Sequence, residues 1–82
     1  MDEYTRKAVS KAVNAANEEH IDLTVTAAQI ECAVRNLVTS LTEDNDEQSR
    51  KEIRQGFRQM SLACTSFAKT LNAYSLTLKS NE

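Results

Sequence analysis

The side chains best suited to catalysis or metal binding in this sequence are one histidine and two cysteines, His20, Cys32 and Cys64. A metal site needs such ligands in close pairs, as in C-x-x-C or H-x-x-x-H, whereas these three lie far apart along the chain. The chain has no second histidine to act as a partner in acid–base or nucleophilic catalysis. The sequence therefore predicts no catalytic residue, no metal site and no cofactor. It places His20 in packing at a helix end.

Glycine and the acidic residues add no further chemistry. Gly56 is the only glycine, so a glycine-rich phosphate loop cannot form. The acids at 18–19 and 43–47 lack the Glu-x-x-His spacing of di-metal bundles and the twelve-residue order of a calcium loop. Cys64 fits a small core residue and Cys32 lies off the apolar face of its helix. Both fit reduced thiols in a cytoplasmic protein.

Basic residues form the one charged pattern that suggests binding. Four of them lie at i, i+1, i+4 and i+8, namely Arg50, Lys51, Arg54 and Arg58. On a helix, this spacing gathers most of them on one side, where they would contact phosphates. Three more cations, Arg6, Lys7 and Lys11, would lie at the same end of an up-down-up bundle.

Nearby acids argue against a phosphate-binding patch. Asp46 and Glu47 stand four residues before Arg50 and Lys51, which is the spacing of helical ion pairs. No aromatic residues interleave with the cations, as a single-strand binder would need. We therefore interpret this end as solvated and self-compensating, and keep nucleic-acid binding by a helical dimer as the alternative function.

Length and composition define the elements that carry these residues. The chain has 82 residues, of which 40% are hydrophobic and 27% charged, with no proline and a formal net charge of -2. A β-sandwich or barrel would need many more turn residues, and a disulfide-stapled mini-protein more cysteines. No apolar run approaches the roughly 18 residues of a membrane span. We expect one all-α domain over residues 1–82, located in the cytoplasm, with no membrane partner.

Apolar periodicity predicts two shorter helices, over about residues 2–19 and 25–42. The stripe of the first comprises Val9, Ala12, Val13 and Ala16, extended by Thr5 and His20. The stripe of the second comprises Ile30, Ala33, Val34, Leu37, Val38 and Leu41. Thr26 and Gln29 form a capping box at the start of the second helix, with Asp22 or Thr24 as alternatives one turn earlier.

A long third helix is predicted over about residues 47–79, with Asp44 or Asp46 as its N-cap. Its apolar residues are spaced 4, 3, 4, 3, 4, 3 and 4 apart: Ile53, Phe57, Met60, Cys64, Phe67, Leu71, Tyr74 and Leu78. This heptad seam is typical of a coiled coil. Together the three elements predict a three-helix bundle or helical hairpin, with two short helices and one long one.

The length of the third helix favours self-association. In an up-down-up arrangement it would extend roughly 20–25 Å beyond the other two. Between Gln59 and Leu78 its only charged residue is Lys69, so this segment resembles a helix covered on several sides. A core this small is also commonly completed by a second copy. We therefore expect a homodimer.

These observations predict a small non-enzymatic cytoplasmic protein that binds or regulates through helix–helix contacts with itself and another protein, and that has no small-molecule substrate. Small inhibitors and accessory proteins of mobile elements often have this character. The expected partner or oligomer interface consists of Phe57, Met60, Cys64, Phe67, Leu71, Tyr74 and Leu78.

Overall fold

The computed structural model describes residues 1–43 and 46–80, with only the backbone of Ser80. It contains three α-helices, α1 (Glu3–Ala16), α2 (Leu23–Glu43) and α3 (Glu47–Ser80). None of the described residues lies in a strand. The all-α, three-helix prediction is confirmed.

Helix α1 is bounded by side chains that replace missing backbone hydrogen bonds. The Asp2 carboxylate accepts a hydrogen bond from the Thr5 amide at 2.7 Å, which caps the first turn. At the other end, the Asn17 side-chain amide donates to the Val13 carbonyl at 2.9 Å. The helix therefore ends before the predicted residue 19. His20 lies in the following loop and is exposed, so its predicted packing at a helix end is wrong.

Helix α2 begins one turn earlier than the capping-box prediction. The Asp22 carboxylate accepts a hydrogen bond from the Val25 amide at 3.1 Å, and the Asp22 carbonyl accepts one from the Thr26 amide at 2.9 Å. Thr26 lies inside the helix and is buried, so it is not the N-cap. Local spacing alone did not separate the two caps, because aspartate and threonine are both favoured N-cap residues.

Helix α3 begins at the predicted cap. The Asp46 carboxylate accepts a hydrogen bond from the Ser49 amide at 2.7 Å. The other candidate cap, Asp44, lies outside the described residues. Within the described chain, the expected Asp46–Arg50 and Glu47–Lys51 ion pairs are not formed. The Asp46 carboxylate is directed at the helix backbone instead.

The helices run up, down, up, and each contacts the other two. At one end, the N-terminal amine and Arg6 both reach Glu52 of α3, at 3.0 and 2.9 Å. At the other end, the Ser66 hydroxyl lies 3.0 Å from the Ala16 carbonyl. The shared core consists of Ala8, Val9, Ala12, Ala16, Ala33, Leu37, Ile53, Met60 and Ala63. Its many alanines draw the helices close together.

Gly56 allows the closest approach between α2 and α3. A Cβ added there would lie 2.7 Å from Cδ2 of Leu37, a fully buried core residue. A glycine inside a helix costs about 1 kcal/mol relative to alanine. Here the missing side chain leaves the volume that the leucine occupies.

The buried face of α3 differs from the predicted seam at alternate positions. Gly56 and Ala63 are buried, whereas the neighbouring Phe57 is half-buried and the neighbouring Cys64 is exposed. The prediction that Cys64 is a core residue is therefore wrong. Because α3 packs against two helices at once, the smallest side chains lie on its centre line and the larger ones are displaced to its flanks.

Candidate protein-contact interface

The C-terminal part of α3 extends beyond the bundle as a single helix. Thr70 is half-buried, and every residue from 71 to 79 is exposed. At 1.5 Å per residue these residues form about 14 Å of helix, which we call the overhang. It is shorter than predicted, because α2 has 21 residues and so covers more of α3.

Four large apolar residues of α3 form a continuous line that begins at the edge of the core and continues along the overhang. Phe67 is half-buried at the edge of the core, and beyond it Leu71, Tyr74 and Leu78 are 45%, 46% and 68% exposed. We call these four residues the overhang stripe. Their spacing of 4, 3 and 4 residues places them on one face of the helix. This stripe is the second half of the predicted seam, and the described residues of the same chain leave most of it uncovered.

Two threonines in and beside the overhang form hydrogen bonds within their own helix. The hydroxyl of Thr70 donates to the Ser66 carbonyl at 3.4 Å, and that of Thr77 donates to the Ala73 carbonyl at 3.0 Å. Because these hydroxyls bond to their own helix, another helix can cover them without leaving a donor unsatisfied. These two threonines are therefore compatible with burial by another helix.

The other predicted interface residues have different positions. Met60 is buried in the shared core and offers no surface to a partner. Phe57 is half-buried beside Leu41, in a shallow groove between α2 and α3. Cys64 is exposed just before the overhang stripe. The surface available for contact thus begins near Cys64 and continues along the stripe.

The cations at the start of the bundle divide among its faces. Arg50 and Arg54 border the groove between α2 and α3. On the outer side of α3, Arg54 continues into a line with Lys51 and Arg58. Among the cations of α1, Lys7 and Lys11 lie in the groove between α1 and α2, whereas Arg6 reaches Glu52 of α3. The seven basic residues gathered by the sequence argument therefore do not form one patch.

Nearby carboxylates are engaged by partners other than the α3 cations. Hydrogen bonds from Arg6 and then from the N-terminal amine lower the pKa of Glu52 to about 2. Hydrogen bonding from Ser49 lowers the pKa of Asp46. Among the described residues, none of Arg50, Lys51, Arg54 and Arg58 forms an ion pair. This finding weakens the self-compensation argument.

A groove between α1 and α2 was missed by sequence reasoning. It is lined by Tyr4, Lys7, Ala8, Lys11, Gln29 and Cys32. The side-chain oxygen of Gln29 is buried there without a hydrogen-bond partner among the described residues. The Cys32 thiol is exposed, and the Asn36 side-chain nitrogen lies 3.4 Å from its sulfur. No sequence signal could have located this groove, because it depends on how two helices meet.

Within residues 1–43 and 46–80, no three His, Cys, Asp or Glu side chains come together as a metal site would require. None of the helices described here combines the length and the apolar character that crossing a membrane requires. No protein-family model, curated protein or solved structure matches this chain.

Proposed function

We propose that this chain is a small non-enzymatic binding or regulatory protein that acts through helix–helix contacts of the overhang stripe. The first partner is a second copy of the chain, and the dimer is the form that contacts another protein. A cytoplasmic location belongs to the same proposal and is supported by two free, exposed thiols.

The exposed overhang stripe is the observation that carries this proposal. Fully burying a large apolar side chain contributes about 1.5–3 kcal/mol to stability. Leaving several of them in water therefore loses an amount comparable to the whole folding stability of a small domain. A solvated helix would carry charges on most turns, yet here Lys69 is the only charge between Gln59 and Leu78. A covering helix explains both features.

The experiment compares two leucines of α3 under the same substitution. Leu71 lies in the stripe, whereas Leu62 is 72% exposed on the packed part of the helix. Leu71→Asp would bury an unpaired charge and should weaken self-association at least about tenfold, whereas Leu62→Asp should leave it unchanged. Sedimentation velocity over a range of protein concentrations measures both. A wild-type monomer at about 300 µM would contradict the proposal, since even a weak interface associates there.

Nucleic-acid binding is the second candidate, and it is supported by the α3 cations, which form no ion pair with any described residue. The test is the combined change Arg50→Gln, Arg54→Gln and Arg58→Gln. If these side chains bind phosphates, the variant should lose most of its duplex or single-strand binding. The slope of the logarithm of the binding constant against the logarithm of salt concentration should fall by the equivalent of about three phosphate contacts. Binding that is absent in the wild type at physiological salt, or that survives the triple change, would exclude this candidate.

A further inference from the structure

We infer that two copies pair with their overhangs antiparallel, so that Phe67 of one copy packs against Leu78 of the other and Leu71 against Tyr74. This inference rests on the proposed function and specifies the partner and the geometry of the same surface. The two-fold axis then passes between Asn72 and Ala73.

Side-chain volume favours this arrangement. In an antiparallel pair of helices with a heptad seam, each layer combines the two kinds of seam position. Along the stripe, one kind holds Leu71 and Leu78 and the other holds Phe67 and Tyr74. Every antiparallel layer therefore contains one leucine and one aromatic ring, which gives four layers of similar volume. A parallel pair would alternate ring-on-ring with leucine-on-leucine layers, which fill space unevenly.

Charge favours the same direction. Lys79 is the one charged side chain described in the overhang, and Lys69 lies just before it. The bundle end from which it emerges carries three exposed acids in the α1–α2 loop, Glu18, Glu19 and Asp22. Antiparallel pairing places Lys79 level with Ser66 of the second copy. Since Ser66 contacts Ala16 and Asn17, that lysine lies beside the acidic loop.

A parallel pair lacks this complementarity. It would place Lys79 of one copy beside Lys79 of the other. It would also set the two bundles side by side, each with α3 cations that form no ion pair with any described residue. Antiparallel pairing instead sends the bundles to opposite ends of the dimer.

The area available sets the expected strength. Helices paired from residue 66 to residue 79 are in contact over about 21 Å. Such a contact buries on the order of 1,000 Å² in total, the lower limit for a specific interface. We therefore expect dissociation constants on the order of micromolar, and the experiments need protein well above that range.

The native thiol Cys64 supplies the decisive measurement. In Cys32→Ser protein, a spin label on Cys64 reports one distance between copies. The antiparallel register separates the two Cys64 positions by about 25 Å along the helix axis, whereas a parallel pair leaves them side by side. Pulsed electron paramagnetic resonance should give a distance of about 25–30 Å, and mild oxidation should give no disulfide between the copies.

A second label position tests the direction independently of the first. Gln59 is exposed on α3, so Gln59→Cys can be labelled once Cys32 and Cys64 are replaced by serine. Moving the label five residues toward the bundle should lengthen the antiparallel distance by about 15 Å and leave a parallel distance unchanged. Equal short distances at both positions, or a disulfide joining two Cys64 residues, would overturn the inference while leaving the dimer itself intact. A monomeric wild type would instead contradict the proposed function as well.

Charge reversal tests the acidic loop. Lys79→Glu should raise the dissociation constant about two- to fivefold, the size expected of exposed ion pairs. Adding Glu18→Lys and Glu19→Lys to the same chain should restore affinity at low salt. A Lys79→Glu effect that these changes fail to reverse would count against the contact between the overhang and the loop.

Discussion

The continuous helix α3 has two parts in different environments, one packed in the bundle and one exposed in the overhang. From residue 47 to residue 70 the helix lies against α1 and α2. The middle of its contact face carries small residues, and its outer side carries cations. From residue 71 to residue 79 every residue is exposed, yet apolar and uncharged polar side chains dominate. In the packed part, side-chain polarity matches exposure. In the overhang it does not, because the segment is exposed but has the composition of a buried helix.

This contrast separates two meanings of an apolar stripe. In the packed part, the seam runs beside the true contact face, because Gly56 rather than Phe57 allows Leu37 to approach. In the overhang no other helix of the chain competes for the same face, so the seam spacing is free to serve a two-helix contact. A single heptad pattern thus covers two different packing environments.

The largest effect should come from Ile53→Ala in the packed part. Ile53 is 1% exposed in the shared core, so the change removes buried methyl groups and leaves a cavity. We expect a loss of about 2–5 kcal/mol in the free energy of unfolding, measured by urea denaturation in dilute solution.

Leu78→Ala is the matched control on the same helix. In dilute protein it should change the free energy of unfolding by no more than about 0.5 kcal/mol, because Leu78 contacts little within one chain. At high concentration it should weaken association. Equal losses at the two positions in dilute solution would show that the two parts of α3 do not differ in the way described.

The next largest effect should come from the N-cap of α2. Asp22→Ala removes the N-cap of α2 and should cost about 1 kcal/mol in unfolding free energy. Thr24→Ala, two residues further along the chain and exposed, should cost less than half as much. Urea denaturation of both variants decides the point. A larger loss for Thr24→Ala would contradict the observed start of the helix.

The sequence predicts features that depend on neighbouring residues, and it misses features that depend on how the three helices pack together. The three helices, the long third element and the Asp46 cap follow from periodicity and from hydrogen bonds within a few residues. The end of α1 was misplaced because the closing hydrogen bond of Asn17 competes with a weak continuation of the apolar stripe. The Thr26 cap was misplaced because burial against another helix outweighed a local motif.

The candidate site was predictable only in its exposed half. Leu71, Tyr74 and Leu78 lie where the seam and the overhang argument placed them, because no other packing intervenes there. Met60 and Cys64 could not be assigned from spacing, since the spacing does not say which side of α3 faces α1 and α2. Whether the stripe binds another chain stays a prediction that the experiments above address.

A smaller effect concerns the ion cluster that joins α1 to the packed part of α3. The pKa of Glu52 is lowered from 4.5 to about 2, chiefly by the hydrogen bond from Arg6 and then by that from the N-terminal amine. Because the native pKa is depressed, this contribution to stability is present above pH 4.5 and is lost as the pH falls through about 2.

Glu52→Gln tests that contribution. Its melting temperature should lie below that of the wild type at neutral pH, and the difference should shrink steadily between pH 4.5 and pH 2. Thermal unfolding followed by circular dichroism at several pH values measures it. A difference that is the same at pH 7 and pH 2 would mean that the charge of Glu52 contributes nothing.

The smallest effect should come from the outer side of the packed part. Arg50→Gln, Arg54→Gln and Arg58→Gln together remove three cations that form no ion pair with any described residue, so no attraction is lost. Exposed substitutions of this kind change the free energy of unfolding by about 0.5 kcal/mol or less, and relief of repulsion between neighbouring cations can offset even that. We expect urea denaturation to give the same midpoint for the variant and the wild type. A loss of more than about 1 kcal/mol would mean that the arginine stems support the groove beside Leu41 and Phe57, and that the outer face of α3 belongs to the packed core rather than to solvent.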